Sequence, residues 1–204
     1  MPCSPVGALT QRPGGYRRSE QEPQRPKAAV ESNRCARFLQ LQPLQSDGIV
    51  QYTLPANNYK ILFSKEQLST AGSNIPLQVS YFNISDDENK VLLFTNTKQV
   101  WRINTKGDYW VLNIATGKLQ QLGKTMPESS LMFAKLSPNG KLAAYVSGNN
   151  IYVEDLSTSS IKALTTDGTN TLINGTFDWV YEEEFYCRDG FRWSPDSKSV
   201  AYWQ

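Results

Sequence analysis

The chain has 204 residues, 39% of them hydrophobic and 20% charged, a balance that supports a packed core rather than a disordered chain. Its 21 Lys and Arg stand against 19 Asp and Glu, and the net charge of +2 conceals a basic excess in the first 40 residues, whose arginines are too scattered to point to a nucleic-acid partner. It contains no histidine, so a Ser-His-Asp or Cys-His mechanism, which needs an imidazole to take the nucleophile's proton, cannot run on this chain alone.

Residues 1–45 read as a disordered, basic, Pro-rich tail. The first 40 residues hold seven of the Lys and Arg, only three of the Asp and Glu, and Pro2, Pro5, Pro13, Pro23 and Pro26. Little apolar periodicity is present to offset the entropy of ordering such a segment. The longest apolar stretch near the start, Val6-Gly7-Ala8-Leu9, is too short for the h-region of a secretory signal. No run approaches the roughly 20 apolar residues of a membrane-spanning helix, and the expectation is a soluble chain without an export route. Cys3, Cys35 and Cys187 lack metal-ligand spacing, and no metal or cofactor is expected.

Residues 46–204 read as strands. Val91-Leu92-Leu93-Phe94, Tyr109-Trp110-Val111-Leu112, Leu142-Ala143-Ala144-Tyr145-Val146, Ile151-Tyr152-Val153 and Val200-Ala201-Tyr202-Trp203 are rich in residues of high β-propensity and are separated by turn chemistry. A signature recurs around Ser85, Ser137 and Ser194, spaced by 52 and 57 residues. Its Ser-Asp-Asp-Glu-Asn-Lys, Ser-Pro-Asn-Gly-Lys and Ser-Pro-Asp-Ser-Lys turns each predict a strand, a turn and a returning strand, with Phe82, Phe133 and Trp193 near equivalent positions in successive blades. A second hairpin follows each of the first two signatures, at Asp108 to Leu122 and Asn150 to Leu164. Four strands in about fifty residues is the blade of a β-propeller. The expected fold is therefore all-β: an incomplete, truncated propeller of about three blades, each a four-stranded antiparallel sheet.

The longer second interval coincides with Asn174 to Phe185, which reads as an insertion with a short helix carrying Glu182, Glu183 and Glu184 behind an Asp178 N-cap. One interpretation is a surface helical turn with solvated carboxylates. The other follows from Trp179, Tyr181, Phe185 and Tyr186, aromatic neighbours that would put some of the carboxylates against apolar walls, where like charges repel and a primary ammonium is a natural occupant. Asn83-Ile84-Ser85 and Asn174-Gly175-Thr176 also fit the glycosylation acceptor pattern.

Asp178-Trp-Val-Tyr-Glu-Glu-Glu184, followed by Trp193-Ser-Pro-Asp196 and Ala201-Tyr202, resembles the hallmark stretch of the dipeptidyl peptidase IV family of prolyl oligopeptidase-type serine peptidases. The likeness fades back through Asn150-Ile-Tyr-Val153 and Trp101-Arg102 to about Tyr81. It implies that Glu183 and Glu184 hold the free amino terminus of a peptide substrate, which accounts for release of dipeptides, and that Arg102 contacts a substrate carbonyl or carboxylate. A buried structural role for Arg102 stands beside that one, because Ile103-Asn104-Thr105 departs from the family's usual continuation. The resemblance also implies a C-terminal α/β-hydrolase domain bearing the catalytic serine, aspartate and histidine, and homodimer formation by the full-length protein. No Gly-x-Ser-x-Gly elbow occurs in the chain, which supplies no catalytic residue of its own and should be inactive alone. The alternative is a non-catalytic propeller module that binds peptides or protein partners.

Overall fold

The computed structural model describes residues 37–40, 48–53, 58–64, 66–70 and 75–204. Most of the segment expected to be a tail lies outside these residues. Within it, however, Arg37–Gln40 forms a strand (β1), which pairs antiparallel with β2 (Gly48–Thr53), itself paired with β3 (Asn58–Ser64).

Two four-stranded antiparallel units follow. The first is β4 (Val79–Ile84), β5 (Lys90–Gln99), β6 (Asn104–Asn113) and β7 (Leu119–Gln121); the second is β8 (Leu131–Leu136), β9 (Leu142–Ser147), β10 (Asn150–Asp155) and β11 (Ile161–Ala163). A third begins with the hairpin of β12 (Phe191–Trp193) and β13 (Val200–Tyr202). This is the expected incomplete propeller, with one addition. The first two blades are stitched into one eight-stranded sheet where β6 meets β8 at Lys106↔Met132 and Gly107↔Leu131.

Propeller blades bury both faces, so their middle strands are apolar throughout instead of alternating. Leu92 and Phe94 of β5 face the second blade and join Tyr109, Leu131, Ala143 and Tyr145 in one core. Val91 and Leu93 face the other way and pack with Phe63 and Leu68. The second blade repeats the division: Ala144, Val146 and Ile151 turn from the first core and pack with Phe191. The continuous apolar runs seen in the sequence are strands buried on both sides.

The three signature turns are built alike. The hydroxyls of Ser85, Ser137 and Ser194 donate to Asp87, Asn139 and Asp196 at 2.5, 2.8 and 2.6 Å. The same oxygens accept the N–H of Lys90, Leu142 and Ser199 at 2.9, 3.0 and 2.9 Å. The fourth residue of each turn, Glu88, Gly140 or Ser197, has positive φ of 55°, 65° or 63°. One expectation fails in detail. Trp193 pairs with Val200 in the position of Ile84 opposite Val91 and Leu136 opposite Ala143, whereas Phe191 takes the place of Phe82. Phe133 has φ of 53° where the β8–β9 register shifts, and this bulge displaces it from the pattern.

Candidate functional site

The predicted helix is present as α1 (Trp179–Phe185). Asp178 caps it: the N–H of Tyr181 donates to the Asp178 carboxylate at 3.0 Å. Tyr186 ends it in the left-handed conformation with φ of 57°. Phe177, Tyr181 and Phe185 form an aromatic ladder with ring centroids 5.6 and 5.7 Å apart, and Trp203 of the third blade joins Phe177 at 5.8 Å. Thus α1 is tied to the hairpin that follows it.

The three glutamates have different surroundings. Glu182 is the buried one, 5% exposed, and its Oε1 has no hydrogen-bond partner among the described residues. Burial raises its pKa above the ordinary carboxylate value; Arg188 nearby lowers it and Glu183 raises it further. The burial of Glu182 is not readable from sequence, because three consecutive glutamates look alike until the helix phase is known. Glu183 is half-buried, and Glu184 is exposed, its carboxylate making no hydrogen bond or ion pair among the described residues. The aromatic walls expected around them are largely exposed themselves, with Trp179, Tyr181, Phe185 and Tyr186 all at 50% or more.

Glu183 meets Arg102. The Nε of Arg102 lies 2.9 Å from Glu183 Oε2, with the arginine side chain 74% exposed and the glutamate 13%. In this chain the Arg102 side chain is exposed rather than buried. Arg102 reaches α1 because the first blade's β5–β6 hairpin is longer than its counterpart: Lys90–Asn113 takes 24 residues where Leu142–Asp155 takes 14. Trp101-Arg102 sits at the tip of that extension.

A second charged group lies just after α1. Asp189 accepts from Lys135 at 3.0 Å and from Arg192, and it bridges Thr176 in backbone pairing. Lys135 also donates to the carbonyl of Phe191 at 2.6 Å and lies over that ring at 4.3 Å. Burial lowers its pKa, opposed by Asp189. Between the first two blades a cavity of about 400 Å³ opens, walled by Tyr81, Asn104, Tyr109, Phe133, Arg188 and Asp189. Among the described residues no cluster of His, Cys, Asp or Glu suits a metal ion. No helix among them is long and apolar enough to cross a membrane.

Residues 85–204 match the family model described as the dipeptidyl peptidase IV (DPP IV) N-terminal region. The chain belongs to that family. Among relatives of this dipeptidyl peptidase IV-type region, a protein described as a probable dipeptidyl-aminopeptidase B of Aspergillus oryzae is 35% identical over 144 residues, 70% of this chain and 16% of that protein. A putative dipeptidyl aminopeptidase of Schizosaccharomyces pombe is 34% identical over 149 residues, 72% of this chain and 18% of that protein. The crystal structure of Porphyromonas gingivalis dipeptidyl peptidase 4 superposes with a TM-score of 0.70 at 25% identity, covering 81% of this chain and 23% of that one. The chain thus spans less than a fifth of the length of these two curated relatives. The likeness supports the propeller architecture and the dipeptidyl peptidase IV N-terminal region.

Proposed function

We propose that this chain is the substrate-anchoring region of a dipeptidyl-peptidase-type serine peptidase. Glu183 and Glu184 hold the free N-terminal ammonium of a peptide, and Arg102 contacts a carbonyl or carboxylate of the same peptide. The observation that supports this most is the pairing of Arg102 with Glu183 at 2.9 Å beside an unpaired Glu184, an arrangement that already accepts one cation and leaves a second carboxylate for another. An ammonium carries three donors and a full charge, so it satisfies carboxylates on two sides at once. Fixing the amine fixes the distance along the peptide to the bond that is cut, two residues in. The cut itself falls to a hydrolase domain as partner, because a chain without histidine has no general base for a serine nucleophile.

Calorimetric titration of the chain with a Gly-Pro-initiated peptide and with its N-acetylated form tests this reading. The free-amine peptide binds more tightly, and Glu183→Gln or Glu184→Gln removes about ten- to a hundred-fold of that preference, the range of a charge-assisted hydrogen bond. Equal binding of the two peptides by the parent chain would refute the amine site. The absence of histidine equally suits a propeller module that binds peptides without cutting them. That module would show the same amine preference, and a dipeptide product on adding the hydrolase domain in trans separates the two.

A further inference from the structure

We propose that Asn96 and Asp108 are positioning residues that aim the Trp101-Arg102 hairpin tip at Glu183. Among the described residues, the part of the β5–β6 hairpin beyond Lys106 has no third strand, since β6 pairs with β8 only at Lys106 and Gly107. A two-stranded ribbon has little stability of its own in water, and its direction is set by its root. Here the root is a polar lock. The side-chain amide of Asn96 donates to Asp108 Oδ2 at 2.8 Å and to Glu128 Oε1 at 2.7 Å. The other Asp108 oxygen accepts the N–H of Ser129 at 2.7 Å, and the Ser129 hydroxyl donates back to the Asn96 carbonyl at 2.8 Å.

The backbone at this root is unusual in the same place. Asn96 has φ of 46° and the buried Ser129 has φ of 51°, a region that side chains disfavour and asparagine tolerates best. The β5–β6 register shifts between Thr95 and Lys98, so the ribbon leaves the sheet at a bulge. Gly107 lets the strands close beneath it, because a Cβ there would lie 2.4 Å from the Phe94 ring. Beyond the root, Asn104 donates to Thr97 at 2.8 Å and Gln99 to the Trp101 carbonyl at 2.7 Å, which carries the set direction to the tip. The lock ties the hairpin to Glu128 and Ser129, on the segment leading into the second blade, and so fixes the ribbon to both blades.

A role confined to blade stability would leave the tip unaffected in variants that fold. The test reads the ion pair directly. In ¹⁵N-labelled chain, the Arg102 Nε–H signal, identified by its loss in Arg102→Lys, is protected from solvent exchange by Glu183. Exchange should quicken by about two- to fivefold in Glu183→Gln, the factor that an exposed ion pair sustains. Asn96→Ala should produce the same change, as should Asp108→Asn, which keeps the shape but sets an NH2 group against one of the two donors that Asp108 accepts, the Asn96 amide or the Ser129 N–H. Asn96→Gly keeps the positive φ and loses the amide, and should match Asn96→Ala. Backbone amide signals of β8 to β11 report that each variant is folded, and Asp108→Asn serves where Asn96→Ala does not fold. Unchanged exchange in folded Asn96 and Asp108 variants, with fast exchange in Glu183→Gln, would overturn the proposal, as would protection restored by Asn96→Gly. The consequence for ligand rests on the amine-site reading: the same variants lower affinity for the free-amine peptide. Faster exchange without loss of affinity leaves the positioning intact and removes the amine site.

Discussion

The backbone N–H of Gly123, at the end of the first blade, donates to Glu154 Oε2 in the second at 2.8 Å, and the Tyr145 hydroxyl donates to the same oxygen at 3.1 Å. Glu154 is 1% exposed and Gly123 has φ of 60°, with Leu131 so close that a Cβ would lie 2.9 Å from its methyl group. The carboxylate is therefore an acceptor for two buried donors that the apolar interblade core would otherwise leave unpaired. Burial, and then the charge of Glu154, holds the Tyr145 hydroxyl well above its ordinary pKa, so it remains a donor at any working pH.

Glu154→Ala should lower unfolding stability by about 2–4 kcal/mol, from two orphaned donors and a small cavity. Glu154→Gln keeps one oxygen that can accept both bonds, and should cost about 1 kcal/mol. Urea midpoints for the two variants check this. Equal losses would mean that the charge rather than the acceptor position matters.

The signature turns predict a selective acid response. Hydrogen bonds from Ser85 and then Asn89 bring the Asp87 pKa down to about 2, and Ser194 lowers that of Asp196. A carboxylate depressed in the folded state adds stability above its unfolded pKa of about 4, and that stability is lost as pH falls through the folded value. Carboxyl NMR titration should show Asp87 titrating well below an unpaired aspartate and Asp196 shifted in the same direction. The second blade's turn carries Asn139 in the same position and adds no such dependence. Ser85→Ala should raise the Asp87 midpoint, and an unmoved midpoint would exclude the hydroxyl as the cause.

Asn174 fits an acceptor triplet in sequence, yet it is fully buried. Its amide donates to the Asn149 carbonyl at 3.1 Å and to Asp167 at 3.0 Å, and its oxygen accepts from Gln204 at 3.0 Å. A glycan cannot be attached there in the folded chain. Expression in a glycosylating host with mass mapping should find Asn174 unmodified in folded protein, and Asn174→Ala should destabilise by about 1–3 kcal/mol through its unpaired neighbours.

Much of this architecture was legible because it is local. Ser85, Ser137 and Ser194 bond within five residues of themselves, so turn chemistry alone gives three copies of one hairpin. Asp178 was readable as a cap for the same reason. Tertiary relations were not readable: the Arg102–Glu183 pair joins positions 81 residues apart, brought together by the longer β5–β6 hairpin. Phe133 leaves the repeat at a bulge, which composition does not mark.

Glu182 offers a test that separates its role from those of Glu183 and Glu184. Its carboxyl is buried with Oε1 unbonded, and burial raises its pKa against the pull of Arg188. A carboxyl with a raised folded pKa contributes stability while protonated, below its unfolded value of about 4.3. That contribution is lost as pH rises through the folded value, and at neutral pH the fold carries a poorly solvated charge. Glu182→Gln should therefore be more stable than the parent at pH 7, with the gap closing toward pH 4, as read from urea midpoints at the two pH values. Arg188→Met removes the facing cation and should widen the gap at pH 7. Loss of stability in Glu182→Gln at pH 7 would instead make the attraction of Arg188 dominant over burial. In either case Glu182→Gln should leave the binding of a free-amine peptide within about twofold, because Glu182 is 5% exposed and its carboxylate is not presented to a ligand as that of Glu184 is.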